Sequence, residues 1–268
     1  MTRGWQLKAI SAAVLVTLAG MTGQAGAAQC GSTSAGFEAW KEQFAAEARG
    51  KVGASAIAAL MGTTYSNATI SADRNQHSMR LSLDQFLARR GGPAIVSRGR
   101  SLKQSSAAMF ASIEQRYGVP PGPLLAIWGM ETGFGRTRGN QNTLSAVATL
   151  AYDCRRSEYF TDQLNAALTL VSRGVFTANT RGSMHGEVGH TQFLPKNILT
   201  YGTGGSLDNA STALSSTANF LRGHGWRAGG GYQPGDANFA AIQAWNAAPV
   251  YQKAIAIIGQ QIDGGGER

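Results

Sequence analysis

Two cysteines and four histidines are all that this 268-residue chain carries, and its 35 glycines follow no Gly-X-Y period. The shortage of cysteine excludes a disulfide-dense scaffold, and a structural zinc site would have to be assembled from scattered histidines. With 43% hydrophobic residues, neither a disordered nor a collagenous chain fits. Runs that alternate with period two last only a handful of residues, so a parallel sheet is not expected. Motifs for phosphate and acyl chemistry are missing as well. There is no Walker A sequence and no Gly-x-Ser-x-Gly elbow, and Gly133-Phe134-Gly135 with Gly139 neither matches the dinucleotide fingerprint nor follows a strand. Acidic residues are scarce too, 15 against 24 Lys and Arg, for a net charge of +9.

What is present begins with an address. Arg3 and Lys8 precede an apolar stretch from Ala9 to Gly20, and small residues follow at Ala25 to Ala28. This is the layout of a secretory signal peptide over residues 1–27, and its apolar core is too short for the roughly 20 residues that span a bilayer. No transmembrane anchor is expected after processing. Gln29 stands where lipid attachment to Cys30 would need a small residue, so a lipoprotein is disfavoured. Loss of Arg3 and Lys8 lowers the charge from +9 to +7. An exported, basic protein suits a polyanion, and cell-wall polymer or an anionic membrane face fits a periplasmic address, which argues against nucleic acid; a general solubility charge is the alternative. Export also permits Cys30 and Cys154 to form a disulfide, with two unpaired thiols as the competing state.

The body of the chain reads as mainly α. Phe37, Trp40, Phe44, Ala45 and Ala48 recur at helical spacing and predict a first amphipathic helix. Thr63 to Ile70, rich in β-branched and polar residues, reads as extended. A short helix starts at Ser82 and stops at Gly91-Gly92-Pro93, and another runs from Ser101 to Tyr117. Further helices are expected over 124–131, 142–152, 157–173, 195–201, 209–224, 236–245 and 249–262. The division expected is an N-terminal helical segment, 33–90, packed on a larger core, 91–262.

Two stretches concentrate chemistry. Leu124 to Met130 is an unbroken apolar run that delivers one carboxylate, Glu131, into a Gly-rich turn. A helix apolar on all sides is buried, and both low dielectric and the negative end of the helix dipole favour a protonated Glu131, the state a general acid needs. The alternative is a glutamate that caps the helix by pairing with Arg136 or Arg138. The second stretch runs from Arg181 to Pro195. Its His185, Glu187 and His190 invite a metal reading, but the histidines are five apart and Gly186 and Gly189 oppose a helix, so no metal is expected. A polar loop that offers Ser183 and Gln192 to a hydrogen-bonding ligand such as a sugar is more economical. Trp226, Tyr232, Trp245 and Tyr251 are either stacking platforms or ordinary core.

Taken together, Tyr117 to Pro121, Ala126 to Gly135, Arg155 to Phe160, Gly189 to Pro195, Ala218 to Trp226 and Trp245-Asn246 resemble, in order and spacing, the B-type lytic murein transglycosylases, glycoside hydrolase family 103. The likeness extends from about Ser34 to Ile262. It implies a lysozyme-like catalytic domain with no cofactor, acting on peptidoglycan glycan strands to leave 1,6-anhydromuramic acid. By the same resemblance Glu131 is the sole catalytic carboxylate, Ser183 a polar neighbour of the acid, Gln192 a sugar contact, and Asn246 a neighbour of the substrate N-acetyl group. Trp245 stands where the family often has Tyr, and His185, Glu187 and His190 stand in a loop that the family keeps rich in Gly and Ala. A non-catalytic wall-binding scaffold and a hydrolytic muramidase are the other readings.

Overall fold

The structure, a computed structural model, describes residues 28–75 and 81–264. The expected signal peptide, residues 1–27, lies outside the described residues. The chain is mainly α, in the order α1 (Phe37–Ala48), α2 (Ala54–Met61), α3 (Asn67–Arg74), α4 (Leu83–Arg90), α5 (Gly92–Ser105), α6 (Ala107–Tyr117), α7 (Pro121–Thr132), α8 (Thr143–Tyr152), α9 (Ser157–Ser172), α10 (Pro195–Tyr201), α11 (Ala210–Gly223), α12 (Phe239–Trp245) and α13 (Pro249–Asp263). The sheet among the described residues is one antiparallel pair, β1 (Gln141–Asn142) and β2 (Arg181–Gly182).

Local chemistry explains where the helices begin and end. Ser82 and Gln85 form a reciprocal capping box at the start of α4, and Gly91 then adopts a left-handed conformation that ends α4 and opens α5. Gly92-Pro93 therefore starts a helix as well as stopping one, because proline in the first turn has no amide that the helix requires. The helix expected over 101–117 is two, broken at Ser106. The extended reading of 63–70 holds only to Ser66. The Ser66 hydroxyl accepts from the Thr69 amide and nucleates α3, so a local cap overrides the weak helix propensity of Asn67 to Ile70. The alanine-rich α2 has too short a pattern to stand out in the sequence.

α7 is the central helix, with Pro121 to Met130 buried on every side. It packs on α13, α5 and α11. The crossing with α13 is close because glycines meet there: a Cβ on Gly122 would lie 2.2 Å from the Gly259 carbonyl oxygen. Around this centre α8 packs on α9, α2 on both, and α3 on α8. Phe37, Trp40, Tyr65 and Tyr152 form one aromatic cluster that joins α1 to the end of α8. One continuous hydrophobic core thus runs from Phe37 through α7 to Ile262.

Two tethers fix the 153–156 turn between α8 and α9. Cys30 and Cys154 form a disulfide, with Cα atoms 5.0 Å apart. Asp73, buried at the end of α3, accepts from the guanidinium groups of both Arg155 and Arg156, while Arg74 pairs with Asp153 at 2.7 Å. The first tether holds the start of α1, and the second holds α3.

Candidate active site

Glu131 sits in the last turn of α7, half-buried, with solvent reaching one side of its side chain. The chain then turns sharply, because Gly133, Phe134 and Gly135 all take left-handed φ values of 56°, 62° and 84°. Phe134 is not a glycine, so this conformation carries backbone strain, offset by its ring packing edge-on against Trp128. Neither arginine weighed as a cap partner is spent on Glu131. Arg136 donates to the Gly133 carbonyl, and Arg138 pairs with Asp208.

The partner of Glu131 is Trp245, at the end of α12, whose indole Nε1 donates to Oε1 at 3.2 Å. The indole is edge-on to both Phe193 and Phe220, which lock its plane. Because an N–H cannot face an O–H proton, a proton on Glu131 resides on Oε2. Burial, reinforced by the negative charge of Glu187, pushes the Glu131 carboxyl up to about 7; the nearby Tyr251 hydroxyl, the bond from Trp245 and the charge of Arg90 oppose that shift only in part.

Tyr251, on α13, is the second side chain against Glu131. Its hydroxyl is buried without a well-formed hydrogen bond, and burial together with the neighbouring Glu131 carboxylate holds the phenol well above its usual range. The sequence offered Tyr251 only as platform or core, and no local signal in it sets the tyrosine beside Glu131. Trp226 and Tyr232 are core: they face each other at 5.6 Å, and each donates its polar hydrogen inward, to the Gly118 carbonyl and to Asp263.

The 182–193 loop forms the facing wall. The Ser183 hydroxyl accepts from the amides of His185 and Glu187, both at 3.1 Å, and donates its one proton to Glu187 Oε2 at 2.8 Å. The hydroxyl proton of Ser183 is therefore directed at Glu187, and its oxygen already accepts two amides. Gln192 adopts a left-handed φ of 57°, and its amide nitrogen donates to the carbonyls of Gly189 and Arg138. Its oxygen is the group it can offer a ligand. Asn246 follows Trp245 directly and accepts the Ala248 amide on Oδ1 at 2.9 Å, which leaves its amide nitrogen as the group to offer.

The three residues of the metal reading are separated by their partners. His190 Nδ1 accepts from the Trp128 indole at 2.9 Å, so the ring hydrogen is on Nε2, facing the Asp208 carbonyl at 3.0 Å. His190 thus bolts the loop to α7, while His185 lies on the other side, with Nε2 3.8 Å from Asp73 Oδ1. Among the described residues, no cluster of His, Cys, Asp or Glu has the geometry of a metal site.

A mainly helical architecture with a carboxyl of raised proton affinity at the end of its buried helix defines the class. Residues 36–235 match the Transglycosylase SLT domain, and the chain belongs to that family. It is 36% identical over 120 residues to the membrane-bound lytic murein transglycosylase B of Escherichia coli K12; the matched stretch is 42% of this chain and 33% of that protein, so the chain spans a third of that relative's length. Among solved structures it is similar to SltB3 of Pseudomonas aeruginosa in complex with NAG-anhNAM-pentapeptide, with a TM-score of 0.78 and 26% identity over 86% of this chain and 80% of that one. The Escherichia coli lytic transglycosylase Slt35 in complex with calcium, 22% identical with a TM-score of 0.70 over 88% and 96% of the two chains, shares the fold. The fold is thus the lysozyme-like one expected.

Proposed function

We propose that the chain is a lytic transglycosylase that cleaves the β-1,4 bond between N-acetylmuramic acid and N-acetylglucosamine in peptidoglycan, leaving a 1,6-anhydromuramic end. The observation that carries this reading is Glu131: a carboxyl that retains its proton to about pH 7, oriented by Trp245 at the solvent-reached end of a buried helix. In this mechanism Oε2 of Glu131 protonates the glycosidic oxygen as the bond to C1 breaks. The muramyl 2-acetamido oxygen stabilises the developing positive charge, with the Asn246 amide nitrogen and the Gln192 oxygen holding that group. Glu131, now ionised, takes the proton of the 6-hydroxyl as its oxygen attacks C1, which restores the acid. The nucleophile belongs to the same sugar, so proximity replaces an activated water. Cell-wall remodelling or recycling in the periplasm fits the signal-peptide layout of residues 1–27 and the basic charge, and no helix of the described residues is long and apolar enough to cross a membrane. In domain terms, residues 33–90 form a helical segment docked on a core of 91–262.

Mass spectrometry of fragments released from purified peptidoglycan by residues 28–268 tests this reading, with Glu131→Gln alongside. Glu131-dependent fragments lighter by one water than reducing ends, and resistant to borohydride, are expected. Reducing ends would make the protein a muramidase, and no Glu131-dependent release would make it a binding scaffold.

A further inference from the structure

With the metal reading set aside, His190 has no part in the reaction above, yet each of its four polar atoms is bonded. Ring Nδ1 accepts the Trp128 indole hydrogen at 2.9 Å, and the backbone carbonyl accepts the Thr132 hydroxyl at 2.6 Å. Both partners belong to α7, about one turn apart, with Glu131 between them in the chain. The other two atoms hold the segment before α11. The backbone amide donates to the Leu207 carbonyl at 3.0 Å, and Nε2 donates to the Asp208 carbonyl, also at 3.0 Å.

This junction has little play. Thr132 also accepts the Gly135 amide at 2.9 Å, so one hydroxyl ties the turn after Glu131 to the same histidine. A Cβ on Gly135, at φ 84°, would lie 2.3 Å from His190 Cε1. Two residues beyond His190, Gln192 takes its left-handed φ and donates to the Gly189 carbonyl at 2.8 Å, so the loop is bonded to itself across the histidine. Only a neutral ring makes both side-chain bonds, since a proton on Nδ1 would face the indole N–H donor to donor. Burial, and next Arg138, hold the ring below the ordinary histidine range; the charged groups that face it are Arg138 after α7 and Asp208 before α11.

We propose that His190 is a positioning residue of the active site: its neutral ring and its carbonyl clamp the Gln192 loop onto the last turn of α7, so that Glu131 and Gln192 are held at one fixed separation. The acid and the sugar contact stand on different elements, 61 positions apart in the chain, and catalysis by positioning tolerates little error between them. His190 is the residue that bonds both elements directly, through Trp128 and Thr132 on one side and through its own loop on the other. This inference rests on the reading of Glu131 as the acid and Gln192 as a sugar contact.

The test compares three variants. His190→Asn keeps an acceptor near the place of Nδ1 for the indole, His190→Gln reaches toward Asp208 instead, and His190→Leu does neither. In glycan cleavage, kcat/KM of His190→Leu and His190→Gln should fall by roughly ten- to a hundredfold, while His190→Asn stays within about threefold of the parent. Unfolding midpoints measured alongside separate this from a merely structural role: activity that follows the midpoint and not the acceptor overturns the proposal. So does His190→Leu as active as the parent, or His190→Asn as impaired as His190→Leu. A second readout needs no turnover. In 15N-labelled parent protein, with Trp128→Phe and Gln192→Glu to assign the signals, an acid titration should shift the Trp128 indole and the Gln192 side-chain amide together, with one midpoint below the ordinary histidine value of 6.5. Joint movement supports the clamp even if peptidoglycan is not cleaved. An indole or a Gln192 amide that does not move sinks it even in an active enzyme.

Discussion

Trp245 donates its indole hydrogen to Glu131 across the gap between α12 and α7, and that bond fixes which carboxyl oxygen can carry a proton. Removing the donor has a definite sign. The bond stabilises the ionised carboxylate, so Trp245→Phe should move the alkaline limb of the activity profile to higher pH, with a loss of turnover of roughly three- to tenfold from the freed side chain. A pH series of kcat/KM decides it, since a shift to lower pH would mean that the indole acts on something other than Glu131.

Glu131→Gln makes a second prediction, one of stability. The folded carboxyl is raised from 4.5 to about 7, so the native state binds more protons than the unfolded chain between those values, and stability falls as pH rises through that window. The glutamine variant carries no such cost. It should be inactive, yet more stable than the parent at pH 8 by up to about 3 kcal/mol, with the difference vanishing near pH 4. Thermal unfolding at the two pH values measures this, and equal differences at both would contradict the raised carboxyl.

Asp73 is buried between two arginines whose own side chains are partly in water. Its loss leaves Arg155 and Arg156 able to rehydrate, so Asp73→Ala should cost a moderate amount, about 1–3 kcal/mol, and not the larger sum of a fully enclosed pair. Because His185 also faces Asp73, the variant should loosen the Ser183–Glu187 turn, and amide hydrogen exchange at residues 183–187 should accelerate.

The glycine crossing of α7 and α13 leaves no room for a methyl group, since what stands in the way is backbone. Gly122→Ala should destabilise by about 1–3 kcal/mol and tilt α13, which carries Tyr251. Chemical denaturation and the tyrosine fluorescence of the folded state check the two halves of that statement.

How much of this was written in the sequence varies with the range of the physics. The buried helix and its terminal carboxyl were legible because an unbroken apolar run has one meaning in water and a glutamate at its end has few. Helices with strong stripes, such as those over 157–172 and 249–263, were legible for the same reason. α3 was misread because one hydroxyl, Ser66, decided it locally against the composition around it. The hydrogen bond between Ser183 and Glu187 was out of reach. Their four-residue separation does not reveal that a tight turn brings the hydroxyl onto the carboxyl group. Tyr251 carries no local signal, and only the packing of α13 on α7 places its hydroxyl beside Glu131.

The disulfide has a consequence for damage. Cys30 and Cys154 join points 124 residues apart, so a single backbone cut anywhere between them leaves one covalent molecule. A nick by a neighbouring protease would open α1 to α8 at one point without releasing any piece, and the cut ends would remain at high local concentration beside their partners. Such a protein runs as one band until it is reduced. It would lose its amino-terminal helices only where thiols are already at work.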